Sequence, residues 1–87
     1  MYYVYVLESL KDSCFYTGFT CNLERRIQEH SQDLQLATKS RLPLRLVYYE
    51  WCLSKSDAIA REKYLKSGMG KKYVRNRLKG FLDCSKE

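Results

Sequence analysis

Three residues with reactive side chains occupy positions where the helix pattern calls for apolar ones. On a predicted first helix, projection at 100° per residue places Arg26 and His30 on the same stripe as Ile27. On a later predicted helix, Glu62 falls inside the apolar stripe that includes Leu65. A charge on the buried side of a helix is costly unless it is paired, so these residues need a specific explanation.

Two explanations fit this arrangement. In the first, Arg26 and Glu62 form a structural salt bridge. In the second, the three residues line a cleft, where Glu62 holds a metal ion and Arg26 contacts a phosphate oxygen. Tyr5 and Tyr16 lie in adjacent predicted strands. Such tyrosines are usually packing groups, but beside Arg, His and Glu their phenols are candidates for proton transfer in a phosphate reaction.

The elements that must position these side chains alternate in type along the chain. Runs rich in aromatic and β-branched residues predict strands over residues 2–7, 14–19 and 44–52. The first run has no polar alternation, which is typical of a central strand covered on both faces. Helices are predicted over residues 23–30, from Ser54 or Ser56 to Lys66, and from Lys71 to about Lys79.

This order predicts an α+β fold, a small three-stranded antiparallel sheet flanked by about three helices (β-β-α-β-α-α). Gly68 is read as a helix stop and Gly18 as a bulge or a close backbone approach. Residues 31–43 are read as irregular. At 87 residues, with 45% hydrophobic and 30% charged residues, the chain is expected to form one domain over 1–87.

The net charge of +6 is concentrated near the end of the chain. Residues 1–54 hold six basic and six acidic residues, whereas residues 55–87 hold ten and four. Clustered cations gain affinity for nucleic acid by releasing phosphate counterions, so a polyanionic partner is expected. An ordinary solvated helix face is the alternative. The candidate contacts are Lys66, Lys71, Lys72 and Arg75.

Other classes find less support in the sequence. There is no apolar run of about 20 residues and no signal peptide, so a cytoplasmic protein that does not enter the membrane is expected. The four cysteines form no zinc motif and are expected to be reduced and mostly packed. No phosphate-binding loop, nucleophile elbow or dinucleotide fingerprint occurs, and no small-molecule cofactor is expected. A monomer or weak dimer is the expected state.

Taken in order, these segments resemble a known family. Tyr3-Val4-Tyr5 stands where GIY-YIG nucleases carry Gly-Ile-Tyr, and Tyr16-Thr17-Gly18 stands where they carry Tyr-Ile-Gly. The stretch YTGFTCNLERRIQEH resembles the second strand and first helix of that family, and AIAREKYLK resembles its metal-binding helix. The resemblance spans almost the whole chain and is closest to the short stand-alone group related to the excinuclease nuclease domain.

The resemblance implies an endonuclease with one Mg²⁺ or Mn²⁺ ion held chiefly by Glu62. Its expected substrate is nucleic acid, with DNA favoured over RNA. Tyr5, assisted by Tyr16 or His30, would deprotonate the attacking water, and Arg26 would stabilise the transition state. A non-catalytic nucleic-acid-binding module of the same fold is the alternative, and a protein-binding adaptor is a third reading.

Overall fold

The computed structural model describes residues 1–31 and 43–84, which form a three-stranded antiparallel sheet with helices packed around it. The predicted α+β architecture is confirmed. The predicted irregular segment 31–43 lies almost wholly outside the described residues. The elements, in chain order, are β1 (Tyr2–Ser9), β2 (Phe15–Thr20), α1 (Leu23–Ser31), β3 (Leu44–Cys52), α2 (Lys55–Lys66), α3 (Gly68–Arg77) and α4 (Lys79–Cys84).

The first strand is central, as its unbroken apolar sequence predicts. The sheet order is β2-β1-β3, and β1 pairs antiparallel with both neighbours. Six consecutive residues of β1, from Val4 onward, are buried. A register shift between Val6 and Leu7 marks a bulge against β3. Because side chains alternate across a strand, Tyr3 and Tyr5 share one face of the sheet, and Val4 and Val6 share the other.

The face that carries Val4 and Val6 packs against the C-terminal helices and forms the main core. Ala58 and Leu65 of α2 and Val74 of α3 join those two valines in one buried cluster. An ion pair holds α2 to the sheet, because the Arg61 guanidinium contacts the Glu50 carboxylate of β3 and lies over the rings of Tyr64 and Tyr73. The helix that carries Glu62 is therefore held against the sheet both by the apolar core and by the Arg61–Glu50 ion pair.

Three expectations about the helices need correction. Helix α2 ends at Lys66, as predicted, but Gly68 is not its stop signal. Gly68 is the first residue of α3, and Ser67 caps that helix by accepting a hydrogen bond from the backbone N–H of Gly70. The predicted final helix is thus longer at its start, and a fourth short helix follows it. Ile59 would be expected on the buried side, because projection at 100° per residue puts it close to Glu62 and Leu65, but it is 43% exposed.

The cysteines also differ in part from expectation. Cys14, Cys21 and Cys52 are free thiols, but Cys14 and Cys21 are exposed instead of packed, because they lie in the turn before β2 and just after its end. Within the described residues, no helix has the length and apolar character needed to span a lipid bilayer.

Candidate active site

A cleft beside the edge strand β2 brings together four of the five predicted catalytic residues. It encloses about 620 Å³ and is open to solvent. Its walls come from β1, β2, α1 and α2, and the side chains that matter for chemistry are Tyr5, Arg26, His30, Lys55 and Glu62. The second explanation offered by the sequence, an opening between the helices, therefore fits the structure.

Tyr5 and His30 are joined by a hydrogen bond at the base of this cleft. The Tyr5 hydroxyl lies 3.1 Å from Nε2 of His30, and both residues are buried. Gly18 lies directly opposite Tyr5 in the β1–β2 register, and the phenol occupies the space where a side chain at residue 18 would stand. A Cβ built on Gly18 would lie only 2.5 Å from the Tyr5 hydroxyl oxygen. Gly18 therefore marks a close approach, one of its two predicted meanings.

Burial sets the protonation of this pair. The pKa of Tyr5 is raised chiefly by burial and is lowered only in part by the positive charge of Arg26, while the negative charge of Glu62 adds to the rise. The pKa of His30 is lowered by burial and by the Arg26 charge. At neutral pH the resting pair is therefore a protonated phenol beside a neutral imidazole.

Among the described residues, Arg26 has a hydrogen-bond donor without a partner. Its guanidinium lies 3.6 Å from the carboxylate of Glu29, and 34% of its side chain is exposed, against 75% for Arg25. The Nε atom of Arg26 is buried, and no residue in the described part of the chain hydrogen-bonds to it. The predicted inward orientation of Arg26 is thus confirmed. Glu29 is 28% exposed and pairs with both arginines.

Glu62 lies on the opposite wall and does not pair with Arg26, which rules out the salt bridge expected under the first explanation. Its carboxylate is 3.6 Å from the Lys66 ammonium one helical turn later, and its side chain is 21% exposed. Such i,i+4 pairs contribute only about 0.3–0.5 kcal/mol, so an incoming cation can displace the lysine.

The donor set suits a magnesium-like ion. In residues 1–31 and 43–84 there is no cluster of three or more His, Cys, Asp or Glu side chains that would cage a metal. Mg²⁺ is commonly held by one or two carboxylates together with water and substrate phosphates. A single accessible carboxylate facing an open cleft fits that mode of binding, whereas a closed zinc-type site would need more protein ligands.

Tyr16 lies apart from this cleft, in an adjoining groove. That groove of about 290 Å³ also touches Tyr5 and His30 and is bordered by Lys66 and Lys71. Tyr16 is opposite Leu7 in the register, two residues along β2 from Gly18. Its hydroxyl is thus on the same face of the sheet as Tyr5 but in a different cavity.

The predicted basic residues divide into two groups. Lys66 and Lys71 border the Tyr16 groove, while Lys72 is exposed on α3 and borders neither cavity. The Arg75 guanidinium lies over the Phe15 ring, 4.7 Å from its centroid, so this arginine is held against the sheet beside the same groove.

Comparison with known proteins agrees with this geometry. A profile of the GIY-YIG catalytic domain matches residues 1–79, which is most of the chain. The chain belongs to the GIY-YIG family. Its similarity extends to UPF0213 protein CPE1444 from Clostridium perfringens, which is 45% identical over 67 residues, covering 76% of this chain and 71% of that one. A UPF0213 protein from Syntrophus aciditrophicus is 46% identical over 66 residues, covering 74% and 75%.

A solved structure shares the fold. The solution NMR structure of UPF0213 protein BH0048 from Bacillus halodurans aligns with a TM-score of 0.55 and 36% identity, covering 87% of this chain and 84% of that one. The GIY-YIG domain is a nuclease domain, so this chain is a member of a nuclease family. The suspected resemblance is thereby confirmed, including its link to a short GIY-YIG group.

One charged cleft residue of this GIY-YIG domain was not selected from the sequence. Lys55, the first residue of α2, lines the cleft with Arg26 and Glu62. Its position directly after the Ser54 cap was visible, but lysine at a helix start is usually solvent-exposed surface. Only the packing of α2 against β1 and β2 brings that helix end to the cleft.

Proposed function

We propose that this chain is a metal-dependent endonuclease that hydrolyses nucleic-acid phosphodiester bonds, with DNA as its substrate in repair, recombination or processing. The observation that carries the proposal is the hydrogen-bonded Tyr5–His30 pair in a cleft that also presents Arg26 and Glu62. These groups supply a proton acceptor, an anion-binding donor and a cation ligand around one space. That combination matches the needs of phosphodiester hydrolysis.

The proton path runs from water through Tyr5 to His30. As the water oxygen bonds to phosphorus, Tyr5 accepts a proton from the water and passes its own proton to Nε2 of His30, 3.1 Å away. The raised pKa keeps the phenol protonated and able to donate, while the lowered pKa keeps the imidazole neutral and able to accept. The bond from phosphorus to the 3′-oxygen breaks, that oxygen takes a proton from solvent, and His30 returns its proton to solvent. The products are a 5′-phosphate and a 3′-hydroxyl.

Arg26 stabilises the charge that develops on the phosphate oxygens. Its guanidinium is planar and borders the cleft, and such a group can donate to two oxygens of one phosphate. A positioned donor of this kind commonly lowers the barrier by about 3–4 kcal/mol. Lys55 adds a second positive charge at the same cleft.

Glu62 is the residue that holds the divalent ion. When bound, Mg²⁺ or Mn²⁺ supplies positive charge against the reacting phosphate and the leaving oxygen. Beyond the cleft, Lys66, Lys71 and Arg75 flank the Tyr16 groove and bind the backbone on one side of the cut phosphate. Tyr16 contacts the substrate in that groove.

The proposal is tested by incubating the protein with labelled single-stranded, duplex and branched DNA and with RNA, in Mg²⁺, Mn²⁺ or EDTA. Metal-dependent cleavage is expected, and Glu62→Gln should abolish it while the variant stays folded, because the amide keeps the size but loses the charge. Asp57→Asn, on an exposed part of the same helix, is the control and should cleave normally.

Two results would contradict the proposal. Salt-sensitive binding of nucleic acid without cleavage under any metal condition would support the non-catalytic binding module instead. Unfolding of Glu62→Gln, measured by circular dichroism, would make Glu62 a structural ion-pair residue and remove the metal assignment.

A further inference from the structure

A groove on the Tyr3 face of the sheet has a lining unlike that of the cleft. It encloses about 500 Å³, next to the start of α1. Apolar and aromatic side chains dominate its walls, which include Tyr3, Leu23, Ile27 and Tyr49. Nothing in the proposed hydrolysis uses these residues.

Two of the walls are tyrosine rings that leave a flat surface accessible. The centroids of the Tyr3 and Tyr49 rings lie 6.0 Å apart and the ring planes are tilted by 59°, so the rings do not stack face to face. Tyr49 remains 51% exposed. Trp51 lies opposite Tyr3 in the register, on the same face of the sheet, and is 56% exposed. Tyr49 and Trp51 therefore present aromatic surface to solvent on this face of the sheet.

The groove offers a phosphate no cationic side chain. Among the described residues, no lysine, arginine or histidine lines it, and its charged wall residue is Glu24. By contrast, cationic side chains line both the cleft and the Tyr16 groove, including Arg26, Lys55 and Lys66. A planar, uncharged group fits this groove, because aromatic faces line it and no cationic side chain does.

The groove adjoins the cleft at one residue. Cys21, between β2 and α1, lines both cavities, so they lie on either side of the same short turn. A nucleotide whose phosphate lies beside Arg26 would therefore bring a neighbouring base to this turn. Base stacking on aromatic side chains accepts any base, since each has a π face.

We propose that this groove holds an unpaired nucleobase of the substrate, stacked on the Tyr49 ring next to the cut phosphate. The inference rests on the proposed function and narrows it to nucleic acid that is single-stranded or locally unpaired at the cut. In an intact duplex the faces of each base are covered by their neighbours, and extruding one base costs a few kcal/mol.

The test compares Tyr49→Leu, which keeps an apolar side chain but loses the ring, with Tyr49→Phe, which keeps the ring. Leu53→Ala, at another exposed apolar position just beyond β3, is the control. Affinity is measured by fluorescence anisotropy in EDTA for a single-stranded DNA and for the same strand in a duplex. Tyr49→Leu should weaken single-strand binding about tenfold and leave duplex binding unchanged, because stacking contributes about 1–3 kcal/mol per base. Tyr49→Phe and Leu53→Ala should bind as the wild type does.

Equal losses for both DNA forms, or no loss for the single strand, would overturn the proposal. Self-association in sedimentation that Tyr49→Leu abolishes would also overturn it, because a second copy of the chain would then occupy the groove. Cleavage by the wild type in Mg²⁺ is measured separately. If cleavage occurs while the Tyr49 result fails, only the stacking site is rejected; if the Tyr49 result holds without cleavage, only the nuclease proposal is rejected.

Discussion

Replacing Gly18 with alanine tests whether the position of the Tyr5 hydroxyl controls catalysis. The new Cβ would lie 2.5 Å from the hydroxyl oxygen and 2.8 Å from Cζ of the ring. Ordinary contacts are about 3.5–4.0 Å, so the phenol must move by roughly 1 Å. Tyr5 is only 5% exposed, which leaves its ring little free space in which to rotate away.

The expected effect on cleavage is large compared with the effect on folding. A displacement of about 1 Å at a reacting group can reduce the rate by roughly a hundredfold. Overpacking a buried site costs about 1–3 kcal/mol, which the domain should tolerate if its stability is the usual ~5–15 kcal/mol. Gly18→Ala should therefore remain folded and lose about a hundredfold in the single-turnover cleavage rate.

The assay follows cleavage of labelled DNA in Mg²⁺ together with thermal unfolding. Gly80→Ala is the matched control, because a Cβ at Gly80 meets nothing within 4 Å. Since both variants disturb the same hydroxyl, adding Tyr5→Phe to Gly18→Ala should reduce the rate little further. Cleavage by Gly18→Ala at the wild-type rate would refute the assignment of Tyr5.

Two further predictions concern Arg26 and the pH dependence of the reaction. Arg26→Lys keeps the charge but loses the planar guanidinium, so it should slow cleavage on the order of a hundredfold. Arg25→Lys, at the more exposed neighbour, should leave the cleavage rate nearly unchanged. Equal effects at both positions would contradict the role of Arg26. Because the pKa of His30 is lowered, the imidazole stays neutral below its ordinary value, and the cleavage rate should fall only at a pH below about 6.5. His30→Gln should remove this loss of rate at acid pH. A wild-type rate that falls with a midpoint at or above about pH 6.5 would contradict the proton path.

The sheet and the helix that carries Arg26 could be predicted because their signals are local. The apolar run that begins at Tyr2 and the aromatic run from Leu44 to Cys52 match β1 and β3 closely. The projection of α1 correctly placed Arg26 on the inner stripe, and its neighbour Arg25, which lies off that stripe, is far more exposed. Periodicity is informative when one face alone is buried.

The remaining features depend on which of several neighbouring groups pair with one another, and residue spacing alone does not determine that choice. Gly68 looks like a helix stop, but Ser67 caps a new helix at the same point, so two helix ends meet there. The pairing of Arg26 with Glu29 and of Glu62 with Lys66 is a choice among several nearby charges that spacing cannot rank. The position of Tyr16 opposite Leu7, and not opposite Tyr5, follows from the β1–β2 register, which composition and spacing do not give.

The most direct test of the account is the single-turnover cleavage rate of Tyr5→Phe, with saturating DNA and Mg²⁺. Tyr3→Phe is the control, because it removes a hydroxyl from the same face of the same strand two residues away. Loss of a positioned proton-transfer group commonly lowers a rate by about 10²–10⁴-fold. The account predicts a loss in that range for Tyr5→Phe with nearly unchanged DNA affinity, and little change for Tyr3→Phe. Cleavage by Tyr5→Phe at the rate of the wild type would contradict it.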